Sequence, residues 1–278
     1  MKIANKEVIK FVEHLLKEDK VHQDITSNYF IDKGQQARAT IFSKEKIIIS
    51  GIDFTLELFK RNCGNIKVLS KLKDGSKIKN NTKILIIEGN AKKILSAERA
   101  GLNLLQHLSG ISTLTARYSQ KIKKNKVILL DTRKTTPGLR KFEKYATFIG
   151  GAKNHRLDLS EDYMIKDNHL ILNNKIYEKI AKMNNKQKKR LILECDNLIQ
   201  VKKAIDLNVK YILLDNMNIK NIKKAKKIIG KKAKIEVSGG INLKNIAKIS
   251  SVDIDFISIG AITHSAPAAN ISLDIQKI

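Results

Sequence analysis

What the chain has little of narrows its class before any motif is read. It has two cysteines, Cys63 and Cys195. They stand far apart and belong to no paired-cysteine motif, so neither a disulfide framework nor a zinc site is expected. Two unpaired thiols fit a reducing cytoplasm. Proline occurs twice and tryptophan not at all, so no proline-rich linker divides the chain. Aromatic residues make up 5 % of it, few rings for stacking bases, and there is no RNP-type aromatic motif, zinc-finger spacing or isolated basic tail. Nucleic acid is therefore not the expected partner. No apolar stretch approaches the roughly 20 residues that cross a bilayer. The opening segment, MKIANKEVIKFVEHLLKEDK, carries charge throughout and lacks the apolar centre of a signal peptide. A soluble, cytoplasmic protein without membrane partners is expected.

Acidic residues are also scarce, with 27 Asp and Glu against 54 Lys and Arg and a net charge of +27. Nucleic-acid binding, an anionic small ligand and lysine-rich solvated helix faces all compete to explain that excess. The lysines come in pairs (Lys202-Lys203, Lys223-Lys224, Lys226-Lys227, Lys231-Lys232) on stretches whose other face is Ile, Ala and Val. This is the pattern of solvated helix faces. Such a field favours anionic ligands as a by-product, but the charge alone assigns no partner.

What is present is a series of short apolar runs, each ending in a polar or glycine-rich cluster. VILLD runs into Thr132-Arg133-Lys134, and YMIK ends at Lys166. LILECD delivers Glu194 and Asp196, YILLDN delivers Asp215 and Asn216, IEVSGG delivers Glu236 and Ser238-Gly239-Gly240, and FISIG ends at Gly260. Runs of this length, rich in Ile, Val and Leu, read as buried parallel strands. Helical stretches such as NLIQVKKAIDLNV and NIKKAKKIIGKKA lie between them. The alternation predicts a (β/α) barrel, and an open doubly wound sheet alternates identically. In both, ligands bind beyond the carboxyl ends of the strands. Upstream, Val8, Val12 and Leu16 recur at helical spacing, 37–50 and 66–72 are strand-like, and KILIIEGNAKKIL continues the strand pattern with a Gly-Asn turn. Residues 94–118 form a long helical stretch. A small α+β domain over 1–105 and a barrel over 106–267 follow, with the strand-like tail 268–278 returning to the first domain.

Three constellations carry chemistry. The stretch 131–169 holds Arg133, Lys134, His155, Arg156 and Lys166, all placed by strand ends or by a glycine-rich segment at one mouth. Converging Arg, Lys and His suit a ligand with several carboxylates or phosphates, because the Arg fork matches a carboxylate bidentately. Glu194 and Asp215 each end a strand and face the same mouth, with Asp196 on the side of Glu194. Acids opposite cations suggest ribose contacts, a divalent cation, or stabilisation of a developing positive charge. The third constellation is Ser238-Gly239-Gly240 and Gly260-Ala261-Ile262, two glycine turns before helices in the last two units, where barrels commonly bind phosphate.

With these residues in view, the chain resembles the quinolinate phosphoribosyltransferase family. The matching segments are SAERAGLNLLQHLSGISTLT, DTRKTTPGLRKFEKYA, GGAKNHRL, IKDNH, ECDN, LLDNM, SGGIN and GAITHSAP, with QDITS near the start. They span nearly the whole chain. The resemblance implies an α/β protein built of an N-terminal open-faced α/β sandwich and a C-terminal incomplete (β/α) barrel. It implies a homodimer with active sites shared between chains, and leaves higher assembly open. The implied reaction joins quinolinate to 5-phosphoribosyl-1-pyrophosphate with Mg²⁺, giving nicotinate mononucleotide, pyrophosphate and carbon dioxide for NAD biosynthesis.

Carried over by motif, Arg99 would reach the site of the neighbouring subunit. Arg133, Lys134, His155, Arg156 and Lys166 would surround the two quinolinate carboxylates, with Thr132 also among the substrate-binding residues. Glu194 and Asp215 would face the ribose and the metal, while Ser238, Gly239, Gly240, Gly260, Ala261 and Ile262 would hold the 5′-phosphate. Lys134, Lys166, Glu194 and Asp215 would carry the catalysis. Three positions depart from the family pattern. Ala152 and Asp158 stand where glycines are usual, and Gln23 replaces the glycine that commonly precedes Asp24. The related ModD-like branch shares the DTRKT start but generally lacks the counterparts of Lys166 and Asn154, so both residues favour the quinolinate enzyme.

Overall fold

The computed structural model describes all residues, Met1–Ile278. They form two compact units. The first comprises Met1–Ala116, Thr136–Gly151 and Ser265–Ile278; the second comprises Arg117–Thr135 and Ala152–His264. No helix is long and apolar enough to cross a membrane.

The first unit opens with helix α1 (Asn5–Glu18), which buries Val8, Val12 and Leu16, one residue per turn of the same face. Asp24 then caps α2 (Ile25–Phe30), its Oδ1 accepting the Thr26 and Ser27 N–H groups at 3.0 Å each. Strand β1 (Gln36–Ser43) alternates strictly, with every second residue buried. It is followed by β2 (Ile47–Ile48), helix α3 (Ile52–Cys63), β3 (Lys67–Lys71), β4 (Lys77–Ile78) and β5 (Lys83–Asn90). A four-stranded antiparallel sheet runs in the order C-terminal strand (Ile271–Lys277), β1, β5, β3.

Residues 91–95 are helical, not a continuation of the strand. Helix α4 starts at Ala91, and Asn90 accepts the Lys93 N–H at its side-chain oxygen (3.2 Å), so the expected Gly-Asn turn is a strand-to-helix junction. Helix α4 continues to Ile122 through 32 residues, so the domain boundary expected near 105 falls inside it. Helix α5 (Arg140–Ile149) also groups with the first unit, because Phe142 stacks on Phe11 (3.9 Å between ring centroids) and meets Phe54 edge-on (5.2 Å).

The second unit contains the six apolar runs as six strands: β6 (Ile128–Leu130), β7 (Tyr163–Ile165), β8 (Leu191–Cys195), β9 (Tyr211–Asp215), β10 (Lys234–Ser238) and β11 (Phe256–Ser258). Every pairing is parallel, in the order β6-β11-β10-β9-β8-β7. The first strand thus pairs with the last, as a barrel requires and an open doubly wound sheet does not. Closure is incomplete. Between β6 and β7 stands only one bridge, Leu130 to Lys153, made by the Lys153 N–H to Leu129 O (2.8 Å) and the Asp131 N–H to Lys153 O (3.2 Å). All five residues of β8 are buried, hence its mainly apolar sequence, LILEC, broken only by Glu194 at the cavity. Helix Ile219–Ile229 buries Ile222, Ala225 and Ile229 and leaves Lys223, Lys224 and Lys227 in water, so at least these lysines are a solvated face.

Candidate active site

The carboxyl ends of the six strands surround a cavity of about 550 Å³. It is lined by Thr132, Arg133 and Lys134 after β6; by His155 and Arg156 from the segment in place of the missing strand; and by Lys166 after β7. Glu194 of β8, Asp215 of β9, Ser238-Gly239-Gly240 of β10 and Gly260-Ala261 after β11 complete the ring. Side chains alternate along a strand, so residues two apart share a face, as Met164 and Lys166, Leu213 and Asp215, and Glu236 and Ser238 do in lining this cavity.

Two of the residues carried over by motif lie elsewhere. Ile262 is fully buried and its side chain belongs to the core instead of the cavity. Arg99 is exposed on α4 and lines a groove of the first unit with Phe11, Leu15, Asn103, His107 and Leu139.

Asp131 explains how the chain positions His155 and Arg156 without a strand. This wholly buried carboxylate accepts the Asn154 side-chain N–H at Oδ2 (2.6 Å) and the His155 backbone N–H at Oδ1 (2.8 Å). The first residue of DTRK thus anchors the first two of NHR. Arg156 then extends alongside β7, donating to Asp162 O (3.0 Å) and Met164 Sδ (3.2 Å). Burial and the neighbouring Arg133 guanidinium both pull the Arg156 pKa below its ordinary value. The two guanidinium groups repel each other, which an anion between them would relieve, and Arg133 Nε is itself buried with no hydrogen-bond partner. Such an orphaned donor is costly unless a ligand satisfies it.

The acids are arranged with the same tension. Lys166 Nζ stands 3.0 Å from Glu194 Oε2. Burial nevertheless raises the Glu194 carboxyl above its usual range, and Asp215 and Asp196 add to the rise against the pull of Lys166. Asp196 is raised too, by burial and then by Asp215 and Asp167. One oxygen each from Glu194, Asp196 and Asp215 lies within 4.8 Å of the others. Carboxylates crowded in this way are relieved by a cation among them. The donor set, all oxygen, suits Mg²⁺ in type.

The glycine turns are shaped by close approach. Gly239 has φ +85°, and a Cβ there would fall 2.1 Å from Asn216 Oδ1, so only glycine fits. A Cβ on Gly260 would lie 2.9 Å from Lys134 Cδ and 3.2 Å from His264 Nε2, so this glycine lets the lysine stem cross the backbone. The departures at 152 and 158 are benign. Ala152 is buried without a positive φ, and Asp158 turns back to accept the Ser160 N–H (2.8 Å) and hydroxyl (2.6 Å) outside the cavity.

Glu236, Ser258 and His264 also line the cavity without having been singled out as site residues. Glu236 had a legible signal, a charged residue inside an apolar strand. Ser258 and His264 had none beyond their strand-end positions.

Similarity to known proteins matches this geometry. The models "Quinolinate phosphoribosyl transferase, N-terminal domain" and "C-terminal domain" match residues 24–109 and 111–274. A Methanocaldococcus jannaschii protein named probable nicotinate-nucleotide pyrophosphorylase [carboxylating] is 40 % identical, over 97 % of both chains. The solved structure of NadC from Streptococcus pyogenes superposes with a TM-score of 0.93 at 32 % identity, covering 100 % of this chain and 99 % of its own. That of nicotinate-nucleotide pyrophosphorylase from Ehrlichia chaffeensis has a TM-score of 0.92 at 36 % identity, covering 99 % and 100 %. With both domain models matched in order along one chain, and the cationic and acidic residues of its motifs around one barrel mouth, the protein belongs to the quinolinate phosphoribosyltransferase family.

Proposed function

We propose that this protein is a carboxylating nicotinate-nucleotide pyrophosphorylase. It joins quinolinate to 5-phosphoribosyl-1-pyrophosphate and releases nicotinate mononucleotide, pyrophosphate and carbon dioxide in de novo NAD biosynthesis. The observation that carries the reading is one cavity lined by Arg133, Lys134, Arg156 and Lys166 on one side and Glu194 and Asp215 on the other. The cations grip the two pyridine carboxylates, Arg133 Nε gaining the acceptor it lacks. The ring nitrogen attacks C1′ of the ribose as the C1′–O bond to the leaving pyrophosphate breaks. Glu194 and Asp215 face the positive charge that develops on the sugar. The turns Ser238-Gly239-Gly240 and Gly260-Ala261 take the 5′-phosphate on their backbone N–H groups.

The C2 carboxylate then leaves as carbon dioxide, and a proton takes the electron pair left on C2. Lys134 and Lys166 favour this step only if they stabilise the transient ring anion more than the bound diacid. Glu194, Asp196 and Asp215 would offer their carboxylate oxygens to a Mg²⁺ brought in with the phosphoribosyl pyrophosphate, which would supply charge neutralisation for the leaving pyrophosphate. The protein works in the cytoplasm as a homodimer. The exposed Arg99 of one chain serves the cavity of the other; it lines a groove of the first unit and is not among the residues lining the cavity.

The test is direct. Purified protein mixed with quinolinate, phosphoribosyl pyrophosphate and Mg²⁺ should form nicotinate mononucleotide, and nicotinate in place of quinolinate should give little. No product from quinolinate overturns the reading. Arg99→Ala should regain part of its activity in mixed dimers with a site-dead partner; without complementation, the shared site is wrong.

A further inference from the structure

Glu236 is the most deeply buried carboxylate lining the cavity, 1 % exposed in the middle of β10. Its Oε2 accepts the Tyr211 hydroxyl (2.7 Å) and lies 3.3 Å from His155 Nε2. Tyr211 in turn stacks flat on Phe256, with ring centroids 5.4 Å apart. No lysine or arginine pairs with Glu236, although four line the same cavity. Burial pushes its carboxyl up, yet the hydrogen bond and the attraction of His155, followed by hydrogen bonds from Ser258 and Tyr211, hold it below the usual carboxylate range. The cavity therefore has an anionic floor beneath its cationic wall.

His155 is engaged at both ring nitrogens. The backbone N–H of Arg156 points to Nδ1 at 2.8 Å. A backbone amide can only donate, so Nδ1 carries the lone pair and the ring proton sits on Nε2, facing Glu236. The same ring thus ties the buried carboxylate to the main chain of Arg156.

We propose that Glu236 is a positioning residue, holding His155 as the Nε2–H tautomer and, through the Nδ1 contact with the Arg156 backbone, setting where the Arg156 guanidinium meets the ligand. His155 then serves as a strut between Glu236 and the main chain of Arg156. Arg133, Lys134, Arg156 and Lys166 alone grip the diacid. A carboxylate turned toward the floor meets the Glu236 charge and is repelled, so one orientation of the pyridine is selected.

The inference rests on quinolinate as the ligand, but its first test does not. In a ¹⁵N spectrum of the whole wild-type protein at neutral pH, the His155 signals, assigned by their loss in His155→Ala, should show a protonated Nε2 and an unprotonated Nδ1. A doubly protonated ring or the opposite tautomer overturns the proposal whether or not the protein turns over. In Glu236→Gln, which keeps the volume and removes the charge, the two tautomers should mix. The quinolinate KM should rise about tenfold while the phosphoribosyl pyrophosphate KM and kcat change less than about threefold, as expected for lost ground-state positioning.

The double variant His155→Ala/Glu236→Gln should be no more than about twofold worse than His155→Ala, since residues acting through one another are not additive. A merely structural Glu236 would lower the melting temperature with unchanged KM in the folded fraction, and multiplying losses would mean that it acts independently of His155. Either result sinks the proposal. A fixed tautomer in a protein that forms no nicotinate mononucleotide would instead discard the reaction and keep the strut.

Discussion

The two units treat buried charge in opposite ways. In the first unit, Asp74 accepts the Gly51 N–H (2.9 Å), the Ile52 N–H (3.0 Å) and the Tyr145 hydroxyl (2.7 Å), capping α3 and tying it to α5. Glu143, wholly buried, is shared between His107 Nε2 (2.9 Å) and the Thr136 N–H (3.1 Å). Burial raises its carboxyl, but those partners win and hold it below the usual range. The unpartnered buried side-chain atoms of this unit are two hydroxyls, of Ser50 and Thr55. In the second unit they include Arg133 Nε and Glu236 Oε1, both in the cavity wall, while Glu194 and Asp196 repel their neighbours. Charges that serve the fold are satisfied in place. Charges that serve a ligand are left short of partners, at a cost in stability that the rest of the structure absorbs.

That contrast can be broken by substitution. Lys134→Ala or Arg156→Ala should cut turnover by about 10²–10³-fold while leaving the urea midpoint nearly unchanged. Near-normal rates in both would remove the cationic pocket as the source of catalysis. Asp74→Ala should do the reverse, losing about 1–3 kcal/mol of unfolding free energy as two N–H groups and a hydroxyl lose their acceptor, with kcat per folded molecule unchanged.

Smaller effects sharpen the point. Mg²⁺ should raise the melting temperature of the wild type more than that of Asp215→Asn, and an equal rise in both would take the metal away from the acid cluster. Smallest of all, Asp196→Asn should melt slightly above the wild type at pH 7. Asp196 titrates above its unfolded value, so ionising it costs the folded state. The cost is present above the folded pKa and vanishes as pH falls through it, so the advantage should fade under acid; calorimetry at both pH values decides.

Much of this was legible in the residues. The apolar runs of the second unit are strands because parallel strands covered on both faces need no polar alternation, and their polar ends became the cavity rim. Alternation alone did not separate a barrel from an open sheet, since that choice depends on β6 finding β11 across more than a hundred residues; the incomplete barrel was implied by the motif resemblance. The start of α4 was misread because KILIIEGN and AKKIL are both apolar enough for either element, and the side chain of Asn90 decides. Arg133, Lys134, Arg156 and Lys166 were found because they end strands or follow glycines. Glu236 was legible as an acid inside an apolar strand and Asp131 as the first residue of DTRK, but what each one holds emerges only with its partners in place.

The unclosed side of the barrel has a consequence for exchange kinetics. A stave in a complete barrel is zipped along both edges; the 153–162 segment has one strand-type bridge, Leu130 to Lys153, and is otherwise held by side chains, among them Asp131, Glu236 and Arg190. Its amide hydrogens beyond His155 should therefore trade with deuterium much sooner than those of β8 or β9, which have neighbours on both sides. Placement of the Arg156 guanidinium is thus entrusted to a tether instead of a girder.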